Sequence, residues 1–259
     1  MEKRKIPPER GTGTETRTQN AWSKVREMNF DSPVLLGPIN GESLLKDPKH
    51  LAFTLARYKF AAKMLQPCRH ILEIGCGEGI GTLTFLAETE ARVTAIDFDP
   101  QQIAYAREHL LPWAGDRVRY LCQDMIRMPY RREKADGLAC LDVIEHLHPA
   151  EEEEFLAHSL ACLASEGVAV FGTPNQLASG YASPRSRMGH INLFDPDRLV
   201  ETLGRYFQHV FLFSMNDEVI HTGFPKMAHY LVALCVMKRS LRASSSPSDR
   251  GNTVKRKGA

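Results

Sequence analysis

Apolar positions fall into two patterns that alternate along most of the chain. The first is helical: apolar residues recur at helical spacing over positions 51–65, at Leu51, Leu55, Tyr58, Ala62 and Leu65. From residue 70 onward, short apolar runs that are typical of buried strands alternate with helical stretches. This alternation predicts an α/β fold, a doubly wound and mostly parallel sheet with helices on both faces.

One stretch between a predicted strand and a predicted helix is rich in glycine. Residues 71–74 read as the end of a buried strand, and glycines then occupy alternate positions, at Gly75, Gly77, Gly79 and Gly81. Alternating glycines let the backbone turn sharply and bring its N–H groups close to a ligand. In an open α/β sheet, this strand-to-helix crevice is where nucleotide-like ligands bind.

The spacing of the glycines excludes two common nucleotide motifs. A G-x-G-x-x-G dinucleotide fingerprint would need a third glycine at position 80 or 82, and Ile80 and Thr82 stand there. A phosphate-binding P-loop, G-x-x-x-x-G-K-[ST], is absent as well. What remains is an acid-x-Gly-x-Gly-x-Gly pattern that begins at Glu73.

This pattern closely resembles the first motif of the class I S-adenosylmethionine-dependent methyltransferases, and the resemblance extends over about residues 50–237. It implies a Rossmann-like, seven-stranded sheet that ends in an antiparallel β-hairpin, for which residues 210–213 and 230–236 supply the two late strands. It also implies that the loop binds the amino-acid tail of S-adenosylmethionine. The residues that carry over from this motif are Glu73, Gly75, Cys76, Gly77 and Gly79.

The ends of the next three predicted strands supply further cofactor residues. Asp97 ends the second strand, where a carboxylate can accept both ribose hydroxyls; Asp99 is better placed than Asp97 to cap the helix that follows. The resemblance implies that the adjacent Phe98 packs on adenine. It further implies that Asp124, with the backbone of Met125, receives the adenine amino group, and that the strand ending at Leu141 faces the transferred methyl group.

Two histidines are the candidate catalytic residues. His146 follows the fourth strand in a Glu-His pair, and His190 closes a polar loop, residues 175–194, that leaves the sheet on its ligand side. Because the pKa of histidine is near neutrality, either residue can act as a general base. Shaping of the acceptor pocket through hydrogen bonds remains an equal alternative for His146.

These residues together predict an enzyme that transfers a methyl group from S-adenosylmethionine to a small-molecule acceptor, with a hydroxyl as the favoured methyl acceptor. Residues 47–60 resemble a segment of bacterial methyltransferases associated with surface-glycan and nonulosonic-sugar gene clusters, which implies a sugar acceptor. A quinone-like or other metabolite stays open.

Two alternative functions stay open. Small-RNA 3′-terminal 2′-O-methyltransferases use Glu-x-x-Glu-His and a later histidine for a divalent metal, and Asp142, Glu145, His146 and His190 match that set in part. The first acid is shortened and a second downstream histidine is missing, so we assign no metal ligands. The other alternative is a non-catalytic protein that binds S-adenosylmethionine, which the intact cofactor motifs disfavour.

Charge and composition narrow the choice of partners. The 259-residue chain has a net charge of +2, but residues 238–259 contribute +6 and residues 1–20 contribute +2. The intervening body is therefore acidic, which argues against a broad nucleic-acid footprint. With 43% hydrophobic residues the chain can form a sizeable core, and no apolar run is long enough to span a bilayer.

These features suggest the following organisation. We expect a disordered segment at 1–20, a methyltransferase domain at 21–237 with a helical lid at 21–69 and a substrate loop at 175–194, and a disordered basic tail at 238–259. The N-terminus lacks an apolar core and the six cysteines show no C-x-x-C pair. A cytoplasmic protein with buried, reduced thiols, Cys122 among them, is expected.

Overall fold

The computed structural model describes residues 16–26, 36–130 and 132–240. The chain divides into two units, residues 1–35 and residues 36–259. In the first unit, residues Arg17–Arg26 form helix α1. The boundary predicted at residue 20 is therefore wrong, because it falls inside this helix; residues 1–15 and 241–259 lie outside the described residues.

The second unit alternates strands and helices, as the apolar pattern predicted. Its helices are α2 (Pro38–Lys46), α3 (Pro48–Met64), α4 (Ile80–Glu88), α5 (Pro100–His109), α6 (Leu111–Ala114), α7 (Glu152–Ala161), α8 (Pro184–Gly189) and α9 (Pro196–Gly204). Its strands are β1 (His70–Ile74), β2 (Arg92–Asp97), β3 (Val118–Cys122), β4 (Ala135–Leu141), β5 (Leu163–Pro174), β6 (Phe207–Asn216), β7 (Val219–His221) and β8 (Tyr230–Lys238). Helix α2 begins at a proline, which suits a first helical turn.

The strands form one sheet in the order β3-β2-β1-β4-β5-β8-β6-β7. Strands β1 to β5 are parallel, while β8 lies antiparallel between β5 and β6. The antiparallel end of the sheet is confirmed. The described residues contain eight strands rather than seven, because the three residues of β7 pair with the end of β6, and so short a run has no alternation to reveal it.

Two apolar clusters cover the sheet, one on each face. Successive residues of β1 alternate between them: Ile71 belongs to the cluster that packs under α3 and α4, and Leu72 to the one that packs under α7 and α9. The strand order reverses between β1 and β4, which both end at the same edge. This switch point opens a crevice at the carboxyl edge of the sheet.

Two further expectations need correction. Lys238 ends β8 rather than starting a tail, and its Nζ donates a hydrogen bond to the carbonyl of Leu160 at 3.0 Å. Cys122 is exposed at the end of β3, which is the edge strand of the sheet. None of the helices in the described residues is both long and apolar enough to cross a membrane.

Candidate active site

The glycine loop folds back over the end of β1. Gly75, Gly77 and Gly79 have φ angles of 78°, 54° and 85°, in the region that side chains with a Cβ avoid. At Gly75 the space is closed as well, because an added Cβ would lie 2.2 Å from Cγ2 of Val143, on the loop after β4. The glycine pattern therefore reflects both backbone conformation and close approach of two loops.

Glu73 lies at the bottom of this loop and is fully buried. Its Oε2 accepts a hydrogen bond from the Thr82 hydroxyl at 2.5 Å, and its Oε1 has no hydrogen-bond partner among the described residues. Burial, with a smaller contribution from the charge of Asp97, raises the pKa of Glu73 to about 7. A buried carboxyl with a free oxygen fits a ligand ammonium group, whose charge would favour the ionised form.

Asp97 and Phe98 lie beside the loop, where the sequence predicted them. The Asp97 carboxylate accepts hydrogen bonds from the backbone N–H of Gly77 and of Asp99, both at 2.9 Å. Each oxygen keeps a further lone pair, as a ribose diol requires. Phe98 is 73% exposed, which leaves its ring open to a flat apolar partner such as adenine.

Substitution of Asp97 separates ligand binding from helix capping. We expect Asp97→Ala to weaken S-adenosylhomocysteine binding roughly tenfold or more, because ribose hydroxyls left without an acceptor cost ~1–3 kcal/mol. Asp99 is the matched control, since its carboxylate accepts from the Gln101 N–H and caps α5. Asp99→Ala should lower the melting temperature with little change in affinity. Equal effects of the two substitutions in calorimetry would contradict the assignment.

The remaining predicted cofactor residues line the same edge. Asp124 follows β3, and its carboxylate accepts from the Ile126 N–H at 2.9 Å and pairs with the exposed Arg127. Met125, Leu141 and Cys76 are buried. The thiol of Cys76 lies 3.8 Å from the carbonyl of the next residue, Gly77.

A glutamate inside the loop, which the sequence analysis did not single out, holds helix α2 against it. Both oxygens of Glu78 accept hydrogen bonds at the first turn of α2, from the N–H groups of Ile39 and Asn40 and from the Asn40 side chain. A Cβ on Gly37 would lie 2.1 Å from the Glu78 carboxyl carbon. The start of α2 is therefore anchored on the glycine loop.

Arg57 on α3 is a second residue that the sequence did not assign. Its Nη1 contacts both carboxylate oxygens of Asp142, at 2.8 and 3.1 Å, and its guanidinium stacks 3.8 Å from the centre of the Tyr230 ring. Asp142 directly follows β4 and has a φ of 57°, a conformation that is uncommon for a residue with a side chain. The ion pair thus fixes a strained turn between β4 and the candidate catalytic residues.

Glu145 lies below this turn with no exposure to solvent. One of its oxygens accepts from the Thr173 hydroxyl at 3.2 Å, and the other has no hydrogen-bond partner in the described part of the chain. Burial raises the pKa of Glu145 well above its usual range, and the nearby charge of Asp142 raises it further. The carboxyl therefore ionises readily only when a cation lies beside it.

The structure brings His146 and His190 together. Their ring centres are 4.9 Å apart in an edge-to-face arrangement. His146 Nδ1 lies 2.9 Å from the Gly189 carbonyl, which can only accept a hydrogen bond, so neutral His146 carries its proton on Nδ1 and leaves Nε2 as an acceptor. Partial burial lowers the pKa of His190, and the neighbouring His146 lowers it further.

The polar network at the end of the 175–194 loop holds His190 in place. The buried Asn192 donates its N–H to the Glu145 carbonyl at 3.0 Å and its side-chain amide to Glu152 at 2.8 Å. Arg198 on α9 closes the network by donating to Glu152 and to the Asn192 side chain. The loop is therefore tied to the segment that carries His146, and within it residues 176–181 and α8 are helical rather than irregular.

The same geometry creates a set of possible metal ligands, which the sequence analysis did not assign. One ligand atom each of Glu145, His146 and His190 lies within 4.8 Å of the other two. Two imidazoles and a carboxylate suit a divalent transition metal. Asp142, the fourth residue of the RNA-methyltransferase pattern, is instead engaged by Arg57.

The fold is a doubly wound α/β domain. Its glycine loop fits a cofactor that contains an amino acid and a nucleoside. A family model described as a methyltransferase domain matches residues 71–167. A probable S-adenosylmethionine-dependent methyltransferase of Mycobacterium tuberculosis is 27% identical over 149 residues, 56% of this chain and 51% of that protein. The mitochondrial ubiquinone biosynthesis O-methyltransferase of Arabidopsis thaliana is 31% identical over 145 residues, 53% of this chain and 44% of that protein.

Solved structures agree in fold. The N-methyltransferase NodS of Bradyrhizobium japonicum, crystallised with S-adenosylhomocysteine, is 20% identical with a TM-score of 0.54, and the match covers 83% of this chain and 97% of that one. The chain spans about half the length of the curated relatives it matches. Residues 71–167 are therefore similar to methyltransferase domains, the chain shares the fold of solved methyltransferases, and S-adenosylmethionine is the cofactor that these similarities support.

Proposed function

We propose that the protein transfers the methyl group of S-adenosylmethionine to a hydroxyl oxygen of a small-molecule acceptor, and that His146 and His190 handle the hydroxyl proton. The observation that carries this proposal is the pairing of the two imidazoles at the end of β4, beside the cofactor loop. The Arabidopsis relative is an O-methyltransferase, which supports an oxygen acceptor.

In this reaction the protein has two tasks: it aligns the cofactor with the acceptor, and it accepts the hydroxyl proton. The bound cofactor supplies a methyl group made electrophilic by its sulfonium. As the new C–O bond forms and the C–S bond breaks, the hydroxyl proton must pass to a base. Neutral His190 can take this proton, and the nearby Asp142 charge favours the resulting imidazolium. Glu73, Gly77 and Asp97 would hold the cofactor at the edge of the sheet where this histidine pair lies, which would align the two reactants.

The acceptor class within this proposal is a hydroxylated metabolite, with a sugar and a quinone-like phenol as the two options. The loop of residues 175–194 forms one wall of the acceptor site, because Gly189 and His190 contact His146 directly. We expect helices α2 and α3 to act as a lid, since Glu78 and Arg57 join them to the two loops at the switch point.

One observation favours a second candidate function. Glu145, His146 and His190 could hold a divalent ion, which is the arrangement expected of a metal-dependent 2′-O-methyltransferase that acts on the 3′ end of small RNA. In that case the ion would ionise Glu145 and bind the acceptor hydroxyl. The acidic body of the chain and the capture of Asp142 by Arg57 favour the metal-free reading.

Removal of metal ions with EDTA distinguishes metal-free methyl transfer from the metal-dependent alternative. We expect methyl transfer to a hydroxylated acceptor, followed as S-adenosylhomocysteine formation, to survive EDTA and to be unaffected by added Mg²⁺ or Mn²⁺, because a neutral histidine needs no ion to accept a proton. Calorimetric affinity for S-adenosylhomocysteine, measured with and without EDTA, controls for loss of the fold. If EDTA abolishes turnover at unchanged cofactor affinity and Mn²⁺ restores it, the three residues are metal ligands.

A further inference from the structure

Large apolar side chains project into solvent on two neighbouring segments beside the histidine pair. We call this set the apolar rim, and its members are Leu177, Tyr181, Met188, Ile191, Phe224 and Met227. Each is between 54 and 87% exposed. Singly exposed hydrophobic residues are common, but a cluster of this kind marks an interaction surface.

Hydrogen bonds hold the two segments of the rim together. The buried Asn175 starts the first segment, and its side-chain amide donates to the carbonyls of Pro225 and Ala228, at 3.0 and 2.8 Å, in the second. The Tyr181 ring lies 5.9 Å from the ring of His229, centre to centre. The rim is therefore one fixed surface rather than two independent loops.

The rim borders the candidate catalytic residues without lining their pocket. Met188 and Ile191 flank Gly189 and His190, which contact His146. Yet Tyr181, Met188 and Phe224 are more than four fifths exposed, and a side chain that lines a concave small-molecule site is largely covered. The partner of the rim is therefore an extended surface.

The charge of the two rim segments indicates which kind of partner surface they bind. Residues 176–191 and 222–229 contain no Asp or Glu, although the chain has 31 such residues, and they carry two arginines and one lysine. Arg187 and Lys226 are exposed beside the apolar side chains. Apolar and aromatic side chains with basic neighbours and no acids suit the interface of an anionic lipid bilayer.

The backbone at Phe224 is an independent sign that this surface has a role. Phe224 has φ 41° and ψ 61°, which is a rare conformation for a bulky aromatic residue. The Met227 N–H, which donates to the Phe224 carbonyl at 2.9 Å, helps to hold this turn and the ring faces solvent. A strained backbone that exposes an aromatic ring to solvent is expected where the ring binds a partner.

We propose that the apolar rim docks the protein on the surface of an anionic lipid bilayer, with its apolar side chains in the interfacial region and Arg187 and Lys226 at the headgroups. Docking of this kind leaves the mouth of the histidine site against the bilayer. It involves no membrane-spanning helix and does not depend on the identity of the methyl acceptor.

Vesicle binding tests this proposal on the full-length chain without any acceptor. We expect the protein to float with vesicles of phosphatidylcholine and phosphatidylglycerol and to bind phosphatidylcholine vesicles much more weakly. The variant Tyr181→Ser/Met188→Ser/Phe224→Asn/Met227→Ser should bind the mixed vesicles at least about tenfold more weakly, because each change removes apolar area that would leave water. Asparagine is chosen at Phe224 because it tolerates the left-handed conformation.

The matched control is Trp113→Ser/Phe211→Ser, which removes two aromatic residues that are more than half exposed and lie outside the rim. It should bind vesicles as the wild type does. Wild-type binding that the rim variant retains would assign the attraction to charge elsewhere, such as the basic residues after 240, and overturn the proposal. Absence of vesicle binding would overturn it as well.

Cofactor affinity separates this proposal from the proposed function. The rim variant should bind S-adenosylhomocysteine as tightly as the wild type, since none of its four positions contacts Glu73, the glycine loop or Asp97. A protein that binds the cofactor and transfers methyl groups but ignores vesicles would refute docking and leave the methyltransferase function standing.

Discussion

Gly75→Ala is expected to abolish measurable cofactor binding. The new Cβ would lie 2.2 Å from Val143 Cγ2, far inside van der Waals contact, and residue 75 must keep a φ of 78° for its N–H to reach the Ile96 carbonyl. Overpacking costs ~1–3 kcal/mol and a left-handed non-glycine residue costs ~1–2 kcal/mol more. The loop can escape both only by opening, and an open loop no longer encloses the ligand.

Two further variants distinguish the clash from a general loss of folding. Gly115→Ala also places alanine at positive φ, 62°, but with no atom within 4 Å of the new Cβ, so it should lower stability and leave cofactor affinity unchanged. Val143→Ala added to Gly75→Ala removes the clashing methyl groups and should recover part of the affinity. Wild-type calorimetric affinity in Gly75→Ala itself would show that the loop does not enclose the cofactor.

His190→Ala is expected to lower kcat by about 10²–10⁴-fold, the usual contribution of a positioned general base. The affinity for S-adenosylhomocysteine should change little, because the residue lies on the acceptor side of the site. The control His209→Ala removes a histidine from β6, outside the site, and should keep full activity. A fall in cofactor affinity that matches the fall in kcat would mean that His190 supports the fold of the site rather than the reaction.

The lowered pKa of His190 also predicts how kcat changes with pH. Because burial and His146 lower the pKa of His190, the residue is neutral and competent as a base at pH 7. The wild-type kcat should fall only as the pH drops through that lowered pKa, below the ordinary histidine value of ~6.5. His190→Ala should lose this acid limb, and an unchanged pH profile would exclude His190 as the base.

Local sequence patterns predicted the features that depend on neighbours in the chain. The left-handed angles at Gly75, Gly77 and Gly79 follow from the need for a backbone without Cβ at a tight turn. Asp99 caps helix α5, as its position after the second strand indicated. Alternation of apolar runs was enough to predict the parallel sheet, because buried strands and amphipathic helices differ in period.

Local sequence patterns could not predict contacts between distant parts of the chain. Arg57 and Asp142 are 85 residues apart, and nothing in the local sequence of α3 distinguishes Arg57 from a solvent-exposed arginine. His146 and Gly189 are 43 residues apart, so the sequence could nominate the two histidines but not their contact or the ligand set they form with Glu145. Glu78 was hidden for another reason, because a glutamate between two glycines reads as exposed.

Calorimetric titration of the full-length protein with S-adenosylhomocysteine and, separately, with NAD tests the central claim most directly. The buried Glu73 with its free oxygen, the glycine loop and the Asp97 carboxylate should give saturable, one-to-one binding of S-adenosylhomocysteine and no heat with NAD, whose pyrophosphate has no matching glycine register. Saturable NAD binding with no response to S-adenosylhomocysteine would contradict both the cofactor assignment and the methyl-transfer function built on it.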